Sequence, residues 1–439
     1  MTPAALILTI ILLILTYVLP RKYAIAPLLV GSCFINEHSK FFVGISSFPS
    51  PRIIILIGLI RIIAKKEFHS IFRNKLDTSI YAFSVSLFIA YVLREGTFAS
   101  VNYISGVIID TTGSYIFARA LLQTWDDLIF YLKFYAIIMI PIALEMTYER
   151  STHFNLFSYL GAETTSYVRE GKYRCEAAIG NPILAGVCGA VGSVTSFSLL
   201  INNPKLKSLL IPAIIAGIII TVTAASSGAI MALFYGSIGL GCWYLRNHMS
   251  LVRKSMVGIL ILLALIMKAP IWYLIAKISN FLGGTGWHRA YLLDQAVHYF
   301  KDWWLIGISH TGYWMPYQLY NGNSDITNQF LAEGIDGGII TMILFIIVVV
   351  RAYKFVGYGL RAASNWSKRE QFLLWGVGCV LLAHTATFFS ICYYNQCKVL
   401  FFIFLAAIAF IGMMGPETIK LFDIGSGDDE NVKSALSSG

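Results

Sequence analysis

Arg174 stands shortly before Asn181-Pro182 in the stretch YRCEAAIGNPILAG, where the apolar run of a helix begins. Proline suits a first helical turn, because its missing N–H has no intrahelical role there, and Asn181 can cap the free amides. A helix N-terminus favours an anion, and a guanidinium adds paired donors. Arg169 and Lys172 lie close by. The stretch suits a phosphate or diphosphate. An interfacial arginine that anchors the helix end accounts for the same residues equally well.

A second group is Thr285-Gly286-Trp287-His288-Arg289, followed by Leu292, Leu293, Ala296, Val297 and Phe300. The later spacing is that of an amphipathic helix, with Arg289 at its head as an anion ligand or as a snorkelling surface residue. Trp303 and Trp304 read as interface aromatics. Further on, His310 could act as a general base, since imidazole titrates near neutral pH. Asp325 could do the same or orient a basic group. Thr327 and Asn328 precede the next apolar run, where helix capping is the plainer reading of Asp325 and Asn328; for His310 that reading is an ordinary surface position. Ser226-Ser227-Gly228 falls between two apolar runs, where small residues permit close helix packing or line a polar groove.

The elements that position these residues are membrane helices. Of 439 residues, 57% are hydrophobic and 13% charged, against roughly 25% charged in a soluble domain. Apolar segments run over 3–20, 23–36, 52–64, 78–93, 103–123, 128–146, 182–202, 208–223, 227–245, 255–277, 336–355, 371–391 and 397–414. They are continuous instead of alternating, so the expected fold is an all-α integral membrane bundle of 12–13 transmembrane helices. Segments 23–36 and 52–64 are short, so one of them is expected to be re-entrant or tilted. One large external loop, 278–335, carries short amphipathic helices. The membrane domain spans 1–422, and the Gly/Ser/Asp/Glu-rich tail 423–439 is expected to be disordered and cytoplasmic.

The net charge of +10 collects in short loops around Lys65, Lys205, Arg246 and Arg351, which the positive-inside rule assigns to the cytoplasm, and argues against nucleic acid as partner. Loops 147–180, 224–227 and 278–335 then share the outer side. Arg119 falls near the cytoplasmic end of its segment, where snorkelling is expected. The seven cysteines show no metal-type spacing; Cys392 and Cys397 flank a short turn and could pair in an oxidising compartment. No P-loop, dinucleotide fingerprint, HExxH or acidic metal cluster is present. A transferase of this composition is expected to work without metal or cofactor.

In their order along residues 100–350, these motifs resemble the O-antigen ligase and polymerase superfamily of bacterial membrane glycosyltransferases. The resemblance rests on RCEAAIGNPILAG, GTGWHRAYLLDQAVHYF, WWLIGISHTG and TNQFLAEGIDGG, with Ser226-Ser227-Gly228 and GSYIFARALL at 113–122 in support. It implies an inner-membrane protein of cell-surface polysaccharide biosynthesis with a periplasmic active site beneath the large loop. An undecaprenyl-diphosphate-linked glycan would be the donor, and a glycan or lipid hydroxyl the acceptor, amid membrane lipids. Arg174 and Arg289 would hold the diphosphate. Arg169, Asn181, Ser226, Ser227, Thr327 and Asn328 would contact substrate. The family places His-Asn where this chain has Thr327-Asn328, so either His310 or Asp325 takes the histidine's part or the acceptor is activated differently.

Two other classes fit the same composition. One is a transporter or flippase of lipid-linked or anionic solutes, which inverted repeats or broken mid-membrane helices would favour. The other is a non-enzymatic component of a polysaccharide assembly complex.

Overall fold

A computed structural model describes residues 1–67, 74–169, 171–274, 276–277, 286–315, 319–320 and 322–414. Each apolar segment carries a helix. In chain order these are α1 (Pro3–Val18), α2 (Ala26–Phe34), α3 (Ser50–Ala64), α4 (Lys75–Glu95), α5 (Phe98–Ile108), α6 (Ser114–Leu121), α7 (Trp125–Thr152), α8 (Pro182–Asn202), α9 (Lys207–Thr223), α10 (Ser227–Gly241) and α11 (Met249–Ile266). The large loop holds α12 (Gly286–His298) and α13 (Phe300–Trp303). After it come α14 (Gln329–Ala362), α15 (Lys368–Thr387) and α16 (Asn395–Ile411). Among the described residues six stretches are long and apolar enough to cross a membrane: Lys75–Glu95, Trp125–Thr152, Pro182–Asn202, Pro204–Thr223, Ser227–Ile266 and Gln329–Asn365. At 1.5 Å per residue the nine residues of α2 reach only about 14 Å, so of the two short segments α2 falls furthest below a bilayer of roughly 30 Å.

Local chemistry sets the helix starts. Asn74 and Asp77 form a reciprocal cap on α4, and Thr124 with Asp127 does the same on α7. From Val399 to Ile411 α16 is apolar all round and every residue is buried, as an all-apolar helical stretch at the centre of a bundle should be. α8 packs against α7, α9, α10 and α15, while α14 lies along α4.

Several positions differ from the sequence expectation. Three antiparallel hairpins occur in the loops: β1 (Lys40–Val43) with β2 (Ser46–Pro49), β3 (Tyr167–Arg169) with β4 (Lys172–Arg174), and β5 (Leu319–Tyr320) with β6 (Asn323–Ser324). Their tight turns carry Gly44, Gly171 and Gly322, all at positive φ. Arg119 does not snorkel; it is 1% exposed and its Nε meets Asp77 Oδ1 at 3.3 Å. Tyr115 also donates its hydroxyl proton to Asp77. Cys392 and Cys397 are both free thiols, and Cys397 Sγ lies 3.9 Å from Cys188 Sγ instead. Trp303 is no interface aromatic: it is 4% exposed and donates from Nε1 to the Ala296 carbonyl at 2.8 Å. It belongs to a second small core with Leu292, Trp314, Met315, Leu331 and Ile335. Val297, expected on the apolar face of α12, is exposed.

That second core seats the loop on a break in α14. Gly338 has φ 77° and ψ 179°, a conformation essentially reserved for glycine. The backbone groups freed there are taken up by the loop: Ile308 N donates to the Ile335 carbonyl at 2.8 Å, and Ile339 N to the Trp304 carbonyl at 2.8 Å. Arg94 Nη1 adds bonds to the Ile335 and Asp336 carbonyls at 2.8 and 2.9 Å. A Cβ at Gly338 would run into the Leu305 carbonyl. Gly338→Ala is therefore expected to destabilise the loop docking by about 1–3 kcal/mol. Increased protease cutting within 303–310, relative to cutting elsewhere in the chain, would register the effect; an unchanged pattern would mean that the docking does not depend on the break.

Candidate functional site

Two loop systems carry the candidate residues. In the first, the β3–β4 ribbon pairs Tyr167 with Arg174 and Arg169 with Lys172. Arg174 is 7% exposed. Its Nε donates to the Ala224 carbonyl at 3.3 Å, and its guanidinium lies 5.9 Å from the centre of the Tyr167 ring. Cys175 N bonds the Thr223 carbonyl at 3.2 Å, tying the ribbon to the α9–α10 junction. Beyond Arg174 the chain turns inward and wraps a carboxylate on α7. Glu149 accepts from Glu176 N at 3.3 Å, Ala177 N at 3.2 Å and Ser166 Oγ at 3.1 Å. Asn155 Nδ2 holds the Ala177 carbonyl, and both Asn36 Nδ2 and Gln396 Nε2 hold that of Ala178, each at 2.9 Å. Asn181 then caps α8, its Oδ1 accepting from Leu184 N at 3.1 Å.

The second system is the head of α12 facing the chain before α14. His288 is 5% exposed, with Nε2 3.3 Å from the Asp325 carbonyl oxygen. A carbonyl only accepts, so Nε2 carries the hydrogen and Nδ1 keeps its lone pair. Nδ1 of His288, Nε of Arg289 and Oγ1 of Thr327 are all buried without a hydrogen-bond partner. Such groups cost about 1–3 kcal/mol each while unsatisfied, so three around one α12 turn and the facing chain mark a place where a polar ligand would bind favourably. Burial pulls Arg289 below the usual arginine range, and the positive charge of Arg169 adds to that, while Asp325 opposes it. Burial likewise lowers His288 from its ordinary 6.5, against the raising influence of the Asp325 carbonyl and carboxylate. Two arginines that disfavour each other's charge make a local excess of positive potential that an anion relieves.

Thus Arg169 and Asp325 lie within electrostatic range of both Arg289 and His288. Arg174 is anchored further along the same ribbon, about two residues or 7 Å from Arg169. His310 is exposed and lies within electrostatic range of Glu95, whose carboxylate accepts from Ser309 Oγ at 2.6 Å. Asn328 caps α14 through Leu331 N at 3.1 Å. Ser226 is buried ahead of α10 while Ser227 is exposed. Thr285 and the glycines before it lie outside the described residues, as does the 423–439 tail.

Sequence reading passed over three residues here. His288 sat inside a noted motif but was overshadowed by His310. Glu176 stands inside the RCEAAIGNPILAG stretch but was passed over there, and Glu149 carries no motif; its only signal was a charge at the end of an apolar helix. Glu176 is buried, and this raises its carboxyl from 4.5 to about 7; Glu149 and Glu163 add to the rise and Arg174 opposes it. A carboxyl that is half protonated near neutral pH can accept or donate a proton.

The folded state thus holds a proton on Glu176 that the unfolded chain releases. Stability from this group is full below pH 4.5 and is lost as pH rises through about 7. Glu176→Gln should remove that loss, so the variant's melting temperature should gain on the native protein's across this window. A constant difference would show an ordinary carboxyl. No protein-family model matches this chain, and no curated protein matches it significantly in sequence.

Proposed function

We propose that this chain is a glycosyltransferase of the O-antigen ligase and polymerase type. It would span the bacterial inner membrane with 12–13 helices and carry its active site on the periplasmic side. It would move a glycan from an undecaprenyl-diphosphate donor to an acceptor hydroxyl. The observation that carries this reading is the group of unsatisfied polar atoms on His288, Arg289 and Thr327, with Arg169 adding charge beside them.

In this reading Arg289 and Arg169 hold the diphosphate, and Arg174 supports the ribbon that brings Arg169 in. The acceptor hydroxyl attacks the anomeric carbon of the donor sugar. Its O–H bond breaks toward His288 Nδ1 as the new C–O bond forms. The old C–O bond to phosphate breaks, and its electron pair leaves on the diphosphate. The arginines stabilise that charge as it develops, which is where preorganised donors contribute most. His288 thereby takes the part that the sequence offered to His310 or Asp325. In the same reading Thr327 Oγ1, one residue before Asn328 and without a hydrogen-bond partner, contacts the substrate. The break in α14 is the feature on which a transport reading would draw, but the loop's own backbone groups occupy it.

Undecaprenyl diphosphate binding to the full chain in lipid nanodiscs tests the anion site. Arg289→Ala should weaken it about tenfold or more, the worth of one charge-assisted hydrogen bond, and should lower glycan transfer by about 100-fold or more. Undiminished binding would remove Arg289 from the site. The proton acceptor has its own signature. The neutral imidazole is the active form, so transfer should rise with pH through a midpoint below 6.5 and be level by neutrality. A midpoint that stays put in His288→Gln would assign the proton to another group.

A further inference from the structure

A second polar cluster lies on the bundle side of the large loop, apart from the arginines of α12. Arg52 at the head of α3 makes a two-pronged pair with Asp110, Nε to Oδ1 at 2.9 Å and Nη2 to Oδ2 at 2.5 Å. Asp110 sits in a single π turn, Ile109–Gly113, between α5 and α6; such turns recur at functional sites. Lys398 of α16 meets Glu333 of α14 at 3.6 Å. Asp336, two residues before the break at Gly338, lies in electrostatic range of Lys398, Glu333 and Arg94. Tyr103 of α5 is within range of Asp336, Lys398, Arg52 and Asp110. Five helical elements thus bring six polar side chains together, and both irregular turns of their helices occur beside them.

Fold support alone leaves two features unexplained. Glu333 is 2% exposed, and while its Oε1 accepts from Gln329 Nε2 at 2.5 Å, its Oε2 has no hydrogen-bond partner. Burying an unsatisfied carboxylate oxygen is costly unless something completes it. The cluster is also open to the protein surface: the side chains of Lys398, Asp110 and Arg52 are 19%, 17% and 16% exposed, and Tyr103 is 58% exposed. The Tyr103 ring leans on Tyr91 with centroids 5.5 Å apart, presenting an open aromatic face at the edge of the charges.

The chemistry selects among ligands. Three carboxylates disfavour a phosphate. Arg52 and Lys398 disfavour a divalent cation, and among the described residues no group of three or more metal-ligating side chains forms. A sugar fits both features, because each hydroxyl donates one hydrogen bond and accepts two. It can donate to Glu333 and Asp336, accept from Lys398, and lay its C–H face on Tyr103. We propose that Tyr103, Asp110, Glu333, Asp336 and Lys398 form a binding site for a neutral sugar ring. Naming that sugar as part of the acceptor glycan rests on the transferase reading above. Cys392 is in electrostatic range of both Asp325 and Asp336, one residue in reach of both clusters.

Saturation-transfer NMR on the full chain in nanodiscs tests this, with free glucose, galactose, rhamnose and N-acetylglucosamine as probes and inorganic diphosphate as competitor. At least one sugar should receive saturation. Tyr103→Ala, at an exposed position that folding tolerates, and Asp336→Asn should each weaken it about tenfold. Inorganic diphosphate should not displace it, and Arg289→Ala should leave it in place. The proposal is overturned if no sugar receives saturation or if both variants bind as the native protein does. It is equally overturned if diphosphate displaces the sugar, which would move it to the α12 site. Failure of the transferase reading would show separately, as undecaprenyl diphosphate binding that ignores Arg289→Ala.

Discussion

Backbone groups in an apolar bundle have no water to turn to, so each must find a partner within the protein. Gly338 makes that rule structural. By breaking α14 it frees the Ile335 carbonyl and the Ile339 amide, and the run 304–308 of the large loop supplies what they lack. Trp303 then buries its ring beneath α12 and spends its indole N–H on Ala296. The loop is therefore held by the helix it precedes, and α12 inherits its place from that seat. Arg289 and His288 lie where they do because a helix some distance along the chain is broken.

Charge is handled in the same way on the other side of the site. The stretch 174–179 is buried and irregular, so its amides and carbonyls need side-chain partners. Glu149 takes two of the amides; Asn155, Asn36 and Gln396 take two of the carbonyls. These partners come from α7, α16 and the loops after α2 and α7. A loop fixed in this way presents its arginines on a short ribbon without much conformational freedom left to lose on binding. Unsatisfied polar atoms at His288, Arg289, Thr327 and Glu333 fall beside the residues that the proposed chemistry uses, while others, at Ser32, Glu145, Trp314 and Gln396, lie elsewhere in the fold.

Other charges are closed into buried ion pairs. Arg119 with Asp77, and Arg61 with Glu67, are closed pairs with further hydrogen bonds from Tyr115 or to backbone carbonyls. They lie at the opposite helix ends from the large loop. Removing one partner of such a pair leaves a buried charge exposed to its full desolvation cost. The positive charge of Arg169 disfavours that of Arg289, an arrangement that an outside anion relieves.

Residues alone determined the helices, because apolar runs must bury or face lipid and their backbones must bond internally. They also determined the caps at Asn181 and Asn328, since a cap is satisfied within one turn, and the amphipathic helix headed by Arg289. Other features needed contacts between distant parts of the chain. No local pattern distinguishes His288 from His310; the difference is the Asp325 carbonyl, which reaches one of them across the loop. Likewise Arg119 read as a surface residue until Asp77, from another helix, closed over it. Glu149, Glu333 and Lys398 are isolated charges in apolar sequence, and only packing gives each its neighbours. Hydropathy and capping act over a few residues and are legible in order. The convergence of side chains from α3, α5, α14 and α16 depends on how whole helices pack, and that was decided by the tertiary structure.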